Sequence, residues 1–344
     1  MAKEKQTSRG RRIEKHICRV LAGIVAAVLI VLIGARGYFR IPVASYYRNS
    51  EKTFVIPGLS EGMIVQGLDY DSAWDSFLIS AYRTDGGASQ LSVVSRADGE
   101  EVKRLRLADA QGRDFTGHVG GVALAGDYIY VADEQGLMVY DRRAVEEAAS
   151  GDKVSALGVF ATRSEEDALE AAFVYTHKGL LYVGEFYRED NYPTPESHHV
   201  ETASGEENPA VILTYRLDAE SPFGISPAPE RVYSIPGLVQ GMCMDADGRI
   251  LLSTSYGPAF SHLSIYETPE QQGELTVLGY SLPCYILDQD CLVQQIKLPP
   301  MAEEIVCVDG KVYTMCEAAT DKYIFGKFTS ARYCYATELS AYDG

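Results

Sequence analysis

The sequence predicts an all-β protein, a five-bladed β-propeller closed by an N-terminal strand and preceded by one transmembrane helix. Three observations predict it. First, a polar residue, often beside Gly, opens an apolar strand that a turn joins to a second apolar strand, and this phrase recurs from Gln66, Gly120, Glu170, Gln240 and Glu303. Its period of roughly 50 to 70 residues is that of a propeller blade. Second, EKTFVIPGLSEG from Glu51 resembles ERVYSIPGLVQG from Glu230, so an outer-type strand stands ahead of the first repeat with no blade of its own. Third, the last repeat ends at LSAYDG with only three strands. Pairing 52–56 beside its final strand completes that sheet and removes an open edge.

The N-terminal elements follow in order. Residues 1–19, MAKEKQTSRGRRIEKHICR, form a basic segment, and 20–35, VLAGIVAAVLIVLIGA, an unbroken apolar run. That length falls between a signal-peptide core and a full membrane span. No clear small-x-small cleavage site follows Ile33, and Tyr38, Phe39, Tyr46 and Tyr47 are suited to a membrane surface, so the run reads as an uncleaved signal anchor. A cleaved signal peptide is the alternative. The lysines and arginines ahead of the run place the N-terminus in the cytoplasm and the propeller outside the cell membrane. Residues 36–50 read as a stalk and 51–344 as the extracellular propeller. Charge divides at the same place, with +8 over residues 1–50 and −25 over 51–344. An acidic domain repels nucleic acid, which excludes that class of partner.

Within the blades, YIYVAD (128–133), LLYVGE (180–185) and KVYTMCE (311–317) alternate as strands. Asp247-Gly248 and Asp309-Gly310 are hairpin turns, with Gly126-Asp127 and Lys178-Gly179 as counterparts. Insertions follow second strands at 186–210, 256–267 and 318–339. Propeller topology puts them over one mouth of the central channel, and long loops on a rigid scaffold are where binding concentrates. The first, rich in Pro, Ser, Glu and Asn, reads as irregular, with linker-like disorder the alternative.

Polar residues converge on that mouth. Inner-strand openings contribute Gln66, His118, Glu170, Gln240, Glu303 and Glu304; ends of second strands add Asp133, Glu185, Tyr256 and Glu317; starts of third strands add His262 and Arg332. Glu170, Glu303 and His118 are the candidate catalytic groups and the others candidate ligand contacts. A ring of carboxylates with imidazoles can hold a divalent cation or act as general acid and base. Plain hydrogen bonding to strand ends and water is the competing reading. His198-His199, with Glu196 and Glu201, are metal-ligand types, but adjacent histidines in a polar loop are expected to be solvated. Ser261 and His262, adjacent in sequence, do not face each other as nucleophile and base. No GxSxG, HExxH, phosphate loop or dinucleotide fingerprint occurs.

Six of the seven cysteines lie in the last third. An even number in an exported domain allows disulfides, with Cys284–Cys291 the first expected pair and Cys316–Cys334 the second.

On its strand-turn-strand repeats, residues 51–344 resemble membrane-anchored bacterial β-propellers, in the broad group of strictosidine-synthase-like, gluconolactonase-like and quinoprotein-like ectodomains. Gluconolactonase-like and paraoxonase-like members hold calcium with Glu, Asp and several Asn at the channel mouth. Here Asn49, Asn191 and Asn208 are the only asparagines, none at an inner-strand opening. The resemblance then implies Glu170 and Glu303 with Gln66 and Gln240 as oxygen ligands. Five-bladed propellers also include glycoside hydrolases, for which Glu170, Glu303 and Asp133 would be the carboxylates and Tyr82, Tyr187, Tyr256 and Tyr323 the sugar-stacking rings. Two functions remain: a cell-surface module binding a small molecule, glycan or protein, and an extracellular hydrolase, lactonase/esterase-like or glycoside-cleaving.

Overall fold

The computed structural model describes residues 2–342. Five antiparallel sheets carry the blades, each with an inner, second, third and outer strand. Blade 1 is Met63–Asp71, Ser76–Arg83, Gln90–Ser95 and Glu101–Ala108. Blade 2 is Val122–Ala125, Tyr128–Asp133, Gly136–Asp141 and Gly158–Ala161. Blade 3 is Ala171–His177, Leu180–Glu185, Ala210–Leu217 and Ile225–Ile235. Blade 4 is Val239–Met244, Ile250–Thr254, Ser261–Tyr266 and Leu292–Leu298. Blade 5 is Ala302–Val308, Lys311–Cys316 and Tyr333–Glu338, with Ser50–Val55 antiparallel to its third strand. The five inner strands touch in a cycle, blade 5 against blade 1 included.

Burial accounts for the ring. Inner and second strands are buried along most of their length because each sheet packs between two others, and five separate clusters fill the five spaces between blades. Phe77, for instance, stacks against Tyr313 of the neighbouring blade at 4.7 Å and Phe54 at 5.2 Å. The hairpin turns have the backbone that their sequence requires: Lys178-Gly179 and Asp309-Gly310 have positive φ at both residues, as two-residue primed turns do.

Two sheets are wider than the repeat predicts. Lys153–Ser155 pairs in parallel with the outer strand of blade 1, and Tyr280–Ile286 pairs in parallel with that of blade 3, carrying Glu274–Val277 beyond it. Both cover exposed sheet edges. The insertions are shorter than expected in blades 4 and 5, since His262 is already in a strand at 261–266 and the fifth-blade strand resumes at Tyr333. The third-blade insertion is ordered: it forms a short hairpin, Val200–Glu201 with Glu207–Asn208, and the buried Asn208 amide donates to the carbonyls of Ser234 and Leu287.

The disulfide expectation is corrected. All seven cysteines are free thiols. Cys284 packs in the space between blades 2 and 3 whereas Cys291 borders that between blades 3 and 4, and Cys316 and Cys334 lie in clusters on opposite faces of the blade 5 sheet. Side chains that point into different spaces between blades have diverging Cβ directions, which a disulfide does not bridge without backbone movement.

Helix α1, Ala2–Arg40, includes the stretch Glu14–Arg40, which is long and apolar enough to cross a membrane; its residues 20–34 are exposed, and only its last turn meets the propeller. The segment read as a stalk contains helix α2, Ala44–Arg48. Val43 and Tyr46 are each 1% exposed and wedge between blades 4 and 5, so Tyr46, expected at a membrane surface, is instead core.

Candidate functional site

Bulges build the mouth. The inner strands of blades 1, 3, 4 and 5 slip register at their openings, between Val65 and Gly67, Ala171 and Phe173, Val239 and Gly241, and Ala302 and Ile305. A bulge sets neighbouring side chains off strict alternation. The repeated polar opener is therefore the bulged position: Gln66, Gln240 and the pair Glu303-Glu304 occupy it. In blade 5 the extra residue sends two adjacent glutamates to different tasks.

Glu304 fills the axis. Its Oε2 accepts the backbone N–H groups of Leu68 and Val122 at 2.8 Å each, and its Oε1 that of Val174 at 3.1 Å. One carboxyl from blade 5 thus joins the inner strands of blades 1, 2 and 3. The close approach requires glycine: a Cβ on Gly121 would collide with the Glu304 carboxyl, and one on Gly241 would lie 2.5 Å from its Cα. Burial drives the Glu304 pKa well up against the downward pull of the three N–H groups. Deeper in the channel, Asp69 accepts from the N–H groups of Tyr70 and Leu124, and burial raises it to about 7.

Glu303 serves the mouth. It is 3% exposed, yet no hydrogen bond or ion pair reaches its carboxyl from the described residues. Burial, then the charge of Glu317 and that of Glu304, push its pKa well up. Glu317, at the end of the second strand, accepts from Tyr323 Oη at 2.9 Å and from Gln66 Nε2 at 3.2 Å, and burial raises it to about 7. The fifth-blade insertion supplies the rim: exposed Lys322 donates to Tyr82 Oη at 3.1 Å and lies over the Tyr82 and Tyr323 rings. His118 stacks on Tyr82 at 4.4 Å, and desolvation with the charge of Lys322 lowers its pKa. Two carboxyls, two phenols, an amide, an imidazole and one ammonium therefore meet at one opening.

Other predicted residues lie elsewhere. Glu170 is exposed and lines a cleft of about 270 Å³ under the third-blade insertion with Glu185, Phe186, Pro193 and Pro195. Its carboxyl has no hydrogen bond or charge interaction with Glu303 or His118 among the described residues. Glu185 is buried, accepting from Val211 N–H at 3.1 Å and facing His198 Nδ1 at 3.0 Å. His198 is fully buried, contrary to the solvated loop histidine expected, because Asp167 sits 3.1 Å from its Nε2. The two carboxylates raise its pKa against desolvation, and the trio pins the insertion to the blade. Asp133 is buried at the end of its strand, raised by burial to about 6. Tyr256 is exposed under the guanidinium of Arg188, 4.2 Å from the ring centre. Gln240 and His262 are half-buried in blade 4, His262 opposite Lys297, whose charge adds to desolvation in lowering its pKa. Arg332 lies exposed on the Tyr333 ring. Among the described residues no three His, Cys, Asp or Glu side chains are grouped to hold a metal ion.

The sequence reading missed Lys322, one surface lysine among many, whose place is set by the path of the insertion. Tyr82 and Tyr323 were found, as ring platforms; Lys322 lies over both rings, and their hydroxyls add hydrogen bonds.

No family model matches the chain, and no curated protein matches it. Among solved structures it is similar to the PQQ-bound aldose sugar dehydrogenase of Streptomyces coelicolor, with 17% identity and TM-score 0.38 over 77% of this chain and 76% of that one. It is also similar to a luciferin-regenerating enzyme, at 12% and 0.43 over 84% and 95%, and to Myxococcus xanthus glutaminyl cyclase, at 12% and 0.42 over 84% and 94%. These likenesses carry neither residue nor activity across. The sheet topology itself makes the chain a five-bladed β-propeller with one N-terminal apolar helix.

Proposed function

We propose that the chain is a membrane-anchored propeller that binds, at the Glu303/Glu317 mouth, a ligand rich in hydrogen-bond donors such as an ammonium or a set of hydroxyls. The buried and unbonded carboxyl of Glu303 carries this reading. Its oxygens take no hydrogen bond from the described residues and are open to an incoming donor, and a hydrogen bond to a charged group contributes about 1.5–3 kcal/mol. The basic segment before the helix favours a cytoplasmic N-terminus and an extracellular propeller.

Calorimetric titration of the full-length protein in detergent with ethanolamine and with glucosamine tests the reading. Binding by the wild type that weakens at least tenfold in Glu303→Gln supports it; no heat with either probe refutes it.

A second reading has its own observation. Two carboxyls that hinder each other's ionisation, one poised at about 7, are suited to acid–base hydrolysis. Turnover of an aryl glycoside or lactone that vanishes in Glu317→Gln while ligand binding persists would favour the enzyme. Full activity in that variant would remove it.

A further inference from the structure

The foot of α1 fixes where the mouth lies relative to a bilayer. Side chains from Val20 to Gly34 are exposed, so the propeller does not run alongside the helix. Its last turn packs on the loops of the mouth face: Phe39 stacks on Phe325 at 5.7 Å and meets Phe260 at 6.5 Å, and Tyr38 meets Phe260 at 5.9 Å. Phe39 is four residues past Ala35, the last of the apolar run, a rise of about 6 Å along a helix. The headgroup layer on each side of a bilayer is about 5–8 Å deep. With α1 spanning, the loops holding Phe260 and Phe325 reach that layer. Other exposed apolar and aromatic groups lie on the same face: Ile324 is 82% exposed, Ile41 74%, and Tyr192 and Tyr256 belong to the neighbouring insertions. Tyrosine and apolar side chains at this depth are typical of a membrane interface.

The mouth is continuous with that foot. Phe325 contacts Tyr323 at 5.7 Å, and Tyr323 donates to Glu317 beside the unbonded Glu303. The charges are ordered, with carboxyls inside and the Lys322 ammonium exposed at the rim. A zwitterion that enters ammonium first and leaves its phosphate at the rim matches that order. Quaternary ammonium offers no N–H to an acceptor, whereas a primary ammonium offers three.

We infer that the mouth takes the headgroup of an aminoethyl phospholipid from the bilayer that holds α1, with Glu303 and Glu317 receiving the ammonium and Lys322 the phosphate. This rests on the donor-ligand reading above and supplies the ligand's class and source.

The test uses the full-length chain in nanodiscs. Trp74, the only tryptophan, lies in an inner-to-second turn on the opposite face, so it serves as a control. In a Trp74→Phe background, the indole introduced by Ile324→Trp should be quenched by lipids brominated near the headgroup, whereas Trp74 in the unsubstituted chain should not be. From equimolar aminoethyl and choline phospholipids, the purified protein should retain the former about tenfold over the latter, a difference of about 1.4 kcal/mol. That preference should vanish in Glu303→Gln and fall in Lys322→Ala, the latter altering only an exposed side chain. Absence of quenching at position 324 overturns the membrane-facing mouth. Equal retention of both lipids, or undiminished preference in Glu303→Gln, overturns the headgroup assignment. Soluble phosphoethanolamine separates the two failures: binding it without any lipid preference sinks the lipid source alone, and binding neither sinks the donor-ligand reading as well.

Discussion

Removing the Glu304 carboxyl should unfasten three blades at once. Its two oxygens accept the N–H groups of Leu68, Val122 and Val174, all buried, from blades 1, 2 and 3. In Glu304→Ala those three donors lose their acceptor, each at about 1–3 kcal/mol, for a total of about 3–9 kcal/mol. A typical domain has only about 5–15 kcal/mol of stability, so this variant should be barely folded or unfolded. Glu304→Gln keeps one carbonyl oxygen where Oε2 accepts two bonds, but turns an amide N–H₂ toward Val174 N–H; about 1–3 kcal/mol should be lost. Urea unfolding of the full-length protein in detergent, followed by Trp74 fluorescence, measures both. The reasoning is refuted if Glu304→Ala unfolds within 1 kcal/mol of wild type, because buried N–H groups that survive without the carboxyl are satisfied by something else.

Stability should also depend on pH. Asp69 and Glu317 both titrate near 7 when folded, above the ordinary carboxyl range, so their contribution is complete below about pH 4 and is lost as pH rises through 7. For Asp69 a displacement of about three pH units corresponds to about 4 kcal/mol; Asp69→Asn should flatten the Tm profile between pH 5 and 8, and an unchanged profile would show that Asp69 ionises normally. Tyr46→Ala empties a 1%-exposed site between blades 4 and 5 and should cost about 3–5 kcal/mol, read as a lower urea midpoint. His198→Ala removes the imidazole held between Glu185 and Asp167, so limited proteolysis should cut within 186–209 before the blades; equal resistance in both proteins would assign the ordering of that loop to Asn208 instead.

The repeat was legible because the blades share local physics: an apolar inner strand, a turn with positive φ and, in blades 1, 4 and 5, a polar bulge. Asp309-Gly310 and Lys178-Gly179 announce their hairpins without tertiary information. The edge strands at Lys153–Ser155 and Tyr280–Ile286 were not legible, because parallel pairing joins segments that no short turn connects. Neither was the division of labour between Glu303 and Glu304. In a regular strand they would point to opposite faces of the sheet, and only the bulge decides that one faces the mouth and the other the axis. The sequence gathered Glu170, Glu303 and His118 as one catalytic set because all open inner strands or precede them; the ordered third-blade insertion instead draws Glu170 into its own cleft.

The pairing of Ser50–Val55 with the last blade also sets a timetable for biosynthesis. Thr53, which donates to the Cys334 carbonyl across that pair, leaves the ribosome 281 positions earlier. At about 5–20 residues per second the strand waits roughly 14–56 s for its partner. During that interval the emerging chain has an unpaired strand tethered beside α1, together with the apolar surface of Val43 and Tyr46. A chaperone or the translocation machinery that shields this short stretch would govern how much of the protein reaches its native ring, so slow codons or a stall late in translation should lengthen the vulnerable period.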